Sequence, residues 1–285
     1  MWLLSTVVSM LENFLLYEEQ LVLFISYSMI VCAVVTFLWL TGGAKAAYGR
    51  YHHESVLTEF SIPARLAWVL QEIPSFLIPL VYLITSFASL PSPNIVVLSL
   101  FIAHYAQRSL IYSVLIKGGK ATPLHIFLMA AMFCTGNGFI QGAWHAHYAT
   151  FNDKWFYDPL TWTGLTLFAL GAFVNVQSDS ILRNLRRPGE RGYKIPRGGL
   201  FEYVSGANYL GECVEWIGYA LCARTLPSFA FAIFTLCNIG PRAVHHHRQV
   251  VHRKIRGLSE DPKSDYSVYI VSRCDEVNVK DSTFG

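Results

Sequence analysis

Polar side chains recur at helical spacing between Asn175 and Glu215, in a segment with strongly apolar sequence on both sides. Asn175, Asp179, Arg183 and Arg186 follow one another every three or four residues, which places them on one face of a helix. Asn208, Glu212 and Glu215 repeat the pattern on the next helical stretch, and a basic loop with Arg187, Arg191, Lys194 and Arg197 lies between. Carboxylates and amides are expensive in a membrane helix, so they turn toward a protein interior or a ligand. Two such helices joined by a basic loop suit a large anionic ligand with a polar head, and a nucleotide cofactor fits that description. No glycine-rich phosphate loop of the GxGxxG or GxxxxGK[ST] type occurs. A nucleotide would therefore be held by side chains on helices. Arg183, Arg186, Arg187 and Arg191 can form forked pairs with phosphate. Asn208, Glu212 and Asp179 can exchange hydrogen bonds with amide or ribose groups.

Three further constellations could carry chemistry, each with a plainer reading beside it. Gln71-Glu72 interrupts the apolar run AWVLQEIPSFLIPLVYL. A carboxylate there costs roughly 3 kcal/mol or more unless paired or hydrated. The pair fits an interfacial position near Arg65, or a ligand cavity in which a carboxyl that keeps its proton donates a hydrogen bond to a carbonyl. Tyr105, Arg108 and Tyr112 share a helix face. They fit an aromatic interface belt with a snorkelling arginine, or, with Glu72, two acidic hydrogens aimed at one substrate oxygen. Cys134-Thr135-Gly136-Asn137-Gly138 fits close helix packing through small residues, or an amide brought to the middle of a membrane. His245-His246-His247 makes a poor chelate, because neighbouring residues on a helix point in different directions, and no metal site is expected. A phosphate contact or a plain interfacial basic patch suits it better.

The elements that must position these groups follow from composition. The chain is 53% hydrophobic and only 14% charged, against about 25% charged in ordinary soluble domains; its mean hydropathy is +0.37. Apolar runs near residues 21–40, 67–87, 95–116, 124–148, 160–176, 203–223 and 226–239 approach the roughly 20 residues that cross a bilayer. The expectation is an all-α polytopic membrane protein with seven transmembrane helices enclosing a cofactor and substrate cavity. Residues 1–20 form an N-terminal segment, 21–257 the membrane domain and 258–285 a polar tail. Basic residues collect in alternate loops, after the first, third, fifth and seventh spans. By the positive-inside rule the N-terminus is luminal and the C-terminus cytosolic, so the basic ladder meets nucleotide-rich cytosol. Acidic residues precede the first span, which makes it an uncleaved anchor rather than a signal peptide. A net charge of +3 does not suggest nucleic acid. The six cysteines show no CxxC spacing and read as small core residues.

At these same residues the chain resembles the steroid 5α-reductase family, most of all its type 1 members. The resemblance is carried by ARLAWVLQEIPSF, HYAQRSLIYSVLIKGGKATP, MFCTGNGF, NVQSDSILRNLRRPGERGYKIPRGGLFEYVSGANYLGECVEWIGYAL and RAVHHHR, from about Ala64 to Arg248. KGGK, GYKIPRGGLFEYV and Met129 favour type 1 over type 2. The resemblance implies a seven-helix enzyme of the endoplasmic reticulum membrane that uses NADPH to reduce the 4,5 double bond of 3-oxo-4-ene steroids; a monomer is the separate expectation for its assembly. It also implies that Glu72 and Tyr105 hydrogen-bond the steroid 3-oxo group, with Gln71 organising that end. Asn175, Asp179, Arg186, Tyr193, Asn208, Glu212 and His246 would line the NADPH site, with Arg108 and Arg183 nearby. One departure stands out. Family members place a Tyr a few residues after the His-rich motif, whereas here Gln249, Val250 and Val251 occupy those positions and an unrelated polar tail follows Ser264. A tail variant that binds steroid or partners without turnover, and a related enoyl or polyprenol reductase, are the alternatives.

Overall fold

A computed structural model of the chain describes the backbone at residues 2–42, 60–119, 121–185 and 194–241, and side chains from residue 15 onward within those ranges. The architecture is all-α. Helix α1 covers Trp2–Thr41 and α2 covers Ala64–Ser86. Helix α3 begins as Ser92–Ala106, continues through a π-helical segment, Gln107–Tyr112, and closes with the turn Ser113–Leu115. Helix α4, Leu124–Ala143, likewise ends in a π-helical turn, Trp144–Tyr148. Helix α5 is Pro159–Asn184, α6 is Ala207–Ala223 and α7 is Leu226–Pro241. A two-residue antiparallel pair, Ser61–Ile62 with Thr122–Pro123, ties the start of α2 to the start of α4.

Among the described residues, five helices are long and apolar enough to cross a membrane: Leu15–Thr41, Ala64–Ser86, Ser92–Leu115, Leu124–Tyr148 and Pro159–Asn184. Helix α7 is apolar but shorter, and α6, at 17 residues, is shorter too. Exposed apolar side chains such as Phe24, Val31, Leu38, Val81 and Ile84 line the outer surface, which is what lipid as a solvent permits. Three boundaries differ from those read in the sequence. Helix α1 runs unbroken from Trp2 through residue 20. Helix α5 does not stop at 176, because the polar ladder continues the helix to Asn184. Helix α6 begins at Ala207 rather than 203: a short 3-10 turn, Gly199–Glu202, and Gly206 precede it, and Tyr203 is left exposed.

Glycines set the spacing of the bundle. Helices α5 and α6 meet backbone to backbone along Gly164, Gly171, Gly211 and Gly218. A Cβ at Gly211 would lie 2.6 Å from the Asn175 backbone nitrogen, and one at Gly164 would lie 2.7 Å from that of Cys222. Small residues are what let membrane helices approach this closely. Helices α2 and α4 meet in a second seam. There Gly138 lies against the Pro74 carbonyl, and Gly142 against Pro79 and the Tyr82 ring. Between the seams, Phe101, Tyr105, Phe168, Trp216, Tyr219 and Phe231 form one aromatic core drawn from α3, α5, α6 and α7.

Candidate functional site

Helix α4 brings the two acidic-hydrogen candidates together. Cys134 and Asn137 are three residues apart on one buried face. The Cys134 thiol is 3.9 Å from Glu72 Oε2, and Asn137 Nδ2 donates to Tyr105 Oη at 3.4 Å. Tyr105 accepts in that contact, so its own O–H remains a donor. The Ser75 hydroxyl donates to the Cys134 carbonyl at 2.8 Å and pins α2 to the same strip. Gln71 is buried beside Glu72 and interacts with its carboxyl group. An amide ladder continues inward. Gln141 Nε2 reaches Asn137 Oδ1 at 3.4 Å and the Pro227 carbonyl at 2.9 Å, and Tyr219 Oη donates to Gln141 Oε1 at 3.1 Å. Gly138 thus packs closely in the α2–α4 seam, while the buried Asn137 amide is hydrogen-bonded to Tyr105 of α3 and Gln141 of its own helix.

A charged layer adjoins this strip. Arg108, inside the π-helical segment of α3, donates from Nη1 to Asp179 Oδ2 at 2.8 Å, and its Nη2 lies 4.0 Å from Glu212 Oε2. Its guanidinium also sits 4.9 Å from the Trp68 ring centre and 4.4 Å from that of Tyr112. The side chain is 12% exposed, so it lies among charged partners and not out among lipid headgroups, and the snorkelling reading fails. A π-helical insertion re-aims the side chains that follow it and frequently occurs at functional sites. Arg183 approaches the Tyr112 ring at 5.8 Å, and its Nη1 is buried without a hydrogen-bond partner among the described residues. Asn175 Nδ2 donates to the Asn208 carbonyl at 3.0 Å, which fixes the ladder of α5 against that of α6. Asp179, Glu212 and Arg108 thus come together from three helices. Arg186, Arg187, Arg191 and Tyr193, with His246 and the rest of the His-rich motif, lie outside the described residues; Arg197 of the basic loop is described and lies 3.7 Å from Glu202 in an exposed pair.

Two groups escaped the sequence reading. His104 Nδ1 is 2.7 Å from Glu215 Oε1, and both side chains are buried; the apolar run around His104 concealed it. Glu18, read as an acidic flank, is also buried. It accepts from Tyr82 Oη at 2.6 Å and Tyr148 Oη at 2.8 Å, and contacts His147 Nδ1 at 2.8 Å. The pattern HAHY at the end of α4 was the available signal. At the same end Asp158 caps α5 by accepting from the Leu160 N–H, and it pairs with Arg224. The guanidinium and that N–H hold the Asp158 carboxyl below the usual aspartate range.

Apolar helices that close a layer of paired charges and a phenol–carboxyl pair inside themselves define a multi-pass membrane protein with an interior polar site. A family model described as 3-oxo-5-alpha-steroid 4-dehydrogenase matches residues 120–257. The chain is 48% identical over 225 residues to 3-oxo-5-alpha-steroid 4-dehydrogenase 1 of Bos taurus, covering 77% of this chain and 84% of that protein. It is 44% identical over 249 residues to the type 1 protein of Homo sapiens, covering 86% and 93%. It is 48% identical over 204 residues to the human type 2 protein, covering 71% and 80%. The chain belongs to the 3-oxo-5-alpha-steroid 4-dehydrogenase family, a family of oxidoreductases.

Proposed function

We propose that this chain reduces the 4,5 double bond of 3-oxo-4-ene steroids such as testosterone and progesterone, with NADPH as the reductant, in the endoplasmic reticulum membrane. The observation that carries the reading is the meeting of Glu72 and Tyr105 on the Cys134–Asn137 strip beside the Arg108–Asp179–Glu212 layer. A protonated Glu72 and the Tyr105 hydroxyl both donate toward one carbonyl oxygen. Their pull draws electron density from the conjugated C5 and makes it electrophilic. Charge that builds on the oxygen as C5 is reduced is then met by donors already in place; removing one such donor costs on the order of 100- to 1000-fold in rate. Gln71 holds Glu72 in its orientation. Protonation at C4 completes the saturated ketone. Water is kept out by the aromatic core, which also suits an apolar sterol body.

The charged layer fits a dinucleotide. Arg183 Nη1 is a buried donor with no hydrogen-bond partner among the described residues, free to meet a phosphate, and Asn175, Asp179, Asn208, Glu212 and Arg108 supply amide, carboxylate and guanidinium groups from the neighbouring helices. When bound, the nicotinamide supplies the hydride that C5 accepts. Arg186, Tyr193 and His246 join this set by their match to the family's motif. A basic loop on the cytosolic side, the side the positive-inside rule expects for it, gives access to that cofactor, and a monomer suffices because Glu72, Tyr105 and the charged layer all come from one chain. The test is Tyr105→Phe together with Asn208→Ala, followed by steady-state kinetics in membranes. Tyr105→Phe should lower kcat with little change in cofactor KM, and Asn208→Ala should raise cofactor KM more than steroid KM. The reverse pattern would overturn this division of the site.

A further inference from the structure

His104 and Glu215 are the buried ionisable pair that this mechanism leaves unused. Helix α3 presents His104 and Arg108 one turn apart, and α6 presents Glu215 and Glu212 at nearly the same spacing. The helices therefore meet in two rungs, His104 to Glu215 at 2.7 Å and Arg108 to Glu212 at 4.0 Å. The first rung is the more enclosed, with side chains 6% and 1% exposed. Its surroundings are aromatic: the His104 ring lies 4.5 Å from Trp216 and 5.1 Å, edge-on, from Tyr105. Glu215 Oε2 and Trp216 Nε1 are buried with no hydrogen-bond partner. Among the described residues His104 is thus the one hydrogen-bond partner of the Glu215 carboxyl group.

We propose that His104 and Glu215 form a positioning pair for the reduction proposed above, and the inference rests on that reading. The pair does two things. It fixes the backbone turn and ring contact that aim Tyr105, the residue next to His104. It also occupies the Glu215 carboxyl group, which would otherwise be free to compete with Glu212 for Arg108 and so loosen the 2.8 Å bond from Arg108 to Asp179. The charges that face His104 are Glu215 and Glu212 from α6, Arg108 from its own helix and Glu72 from α2. A neutral donor at position 104 can keep the hydrogen bond, whereas an apolar ring cannot.

The experiment compares His104→Phe, His104→Asn and Glu215→Gln with the parent chain in membranes, reading kcat and both KM values, thermal midpoint, and Trp216 emission against pH. The Trp216 signal is the difference between the parent and Trp216→Phe. In His104→Phe we expect kcat to fall roughly 10- to 100-fold, the scale of a catalytic group misplaced by about an ångström, with cofactor KM changed far less. His104→Asn should recover most of that loss, and Trp216 emission should depend on pH in the parent and not in His104→Phe. Unchanged kcat in all three variants would overturn the proposal. So would kcat and thermal midpoint falling together with no recovery in His104→Asn, which is the signature of a merely structural pair. If the parent chain reduces no steroid, the functional reading fails by itself. The emission profile then judges the pair separately, and a pH-independent profile in the parent overturns it.

Discussion

Among the described residues Glu72 meets the Cys134 thiol of α4 in a long contact at 3.9 Å and the Gln71 side chain beside it, which leaves a protonated carboxyl able to donate to a ligand. Glu72→Gln preserves a neutral donor of the same length, whereas Glu72→Leu removes it. The glutamine variant should retain at least 10-fold more activity than the leucine variant, a difference within the range for one preorganised donor; initial rates at saturating cofactor would measure it, and equal losses would remove the donor argument. Arg108 is different in kind. It is held by Asp179, approached by Glu212 and covered by two aromatic rings. Arg108→Ala strands two carboxylates, and breaking a buried pair costs about 3–5 kcal/mol. The expected outcome is a large drop in thermal stability together with lost cofactor binding. Much of this was legible, because Asn175, Asp179, Arg183, Asn208 and Glu212 announce themselves as polar residues at helical spacing in apolar sequence. His104 did not, since one histidine in SLFIAHYAQ carries no periodic signal and its partner lies on α6, far along the chain.

The elements are positioned by small residues more than by large ones. Gly171 and Gly211 let α5 and α6 approach until backbone touches backbone, and that approach is what allows Asn175 to reach the Asn208 carbonyl. Gly211→Ala should destabilise the protein by about 1–3 kcal/mol, the usual cost of overpacking, and should weaken cofactor binding before steroid binding. Thermal unfolding with and without cofactor reads both effects. The start of α5 offers a second test. Asp158 is held below the usual aspartate range by Arg224 and the Leu160 N–H, so the folded chain binds that proton less readily than the unfolded one. The pair's contribution is complete above about pH 3.9, the ordinary aspartate value. It is lost as pH falls through the lowered folded value. Asp158→Asn should abolish that part of the acid-dependent loss in thermal midpoint; because solvent reaches the pair, salt should weaken the effect. Hydropathy located the helices but misplaced their ends. The apolar run read for α5 ends at 176, yet the helix goes on through the ladder to Asn184 with its polar face sheltered by α3 and α6, a long-range fact that no local window contains. The π-helical segments, Gln107–Tyr112 and Trp144–Tyr148, were equally hidden, for neither carries a sequence signal that sets it apart from ordinary helix.

At the scale of the whole molecule an apolar helical bundle encloses Glu72 and Tyr105 beside the Arg108–Asp179–Glu212 layer, and the proposed function reads the first as donors to a carbonyl and the second as part of a dinucleotide site. The layer draws on α3, α5 and α6, and the donors on α2 and α3, so neither half of the site exists without the assembled bundle. Family membership extends across most of the chain, and the family's motifs coincide with the residues that the fold gathers. The measurement that tests the claim most directly is conversion of labelled testosterone to its 5α-reduced product by membranes containing the full chain, with NADPH and with NADH in parallel. The account predicts product with NADPH, markedly less with NADH, and almost none from Tyr105→Phe. Folded, membrane-inserted protein that yields no product with either cofactor would contradict it.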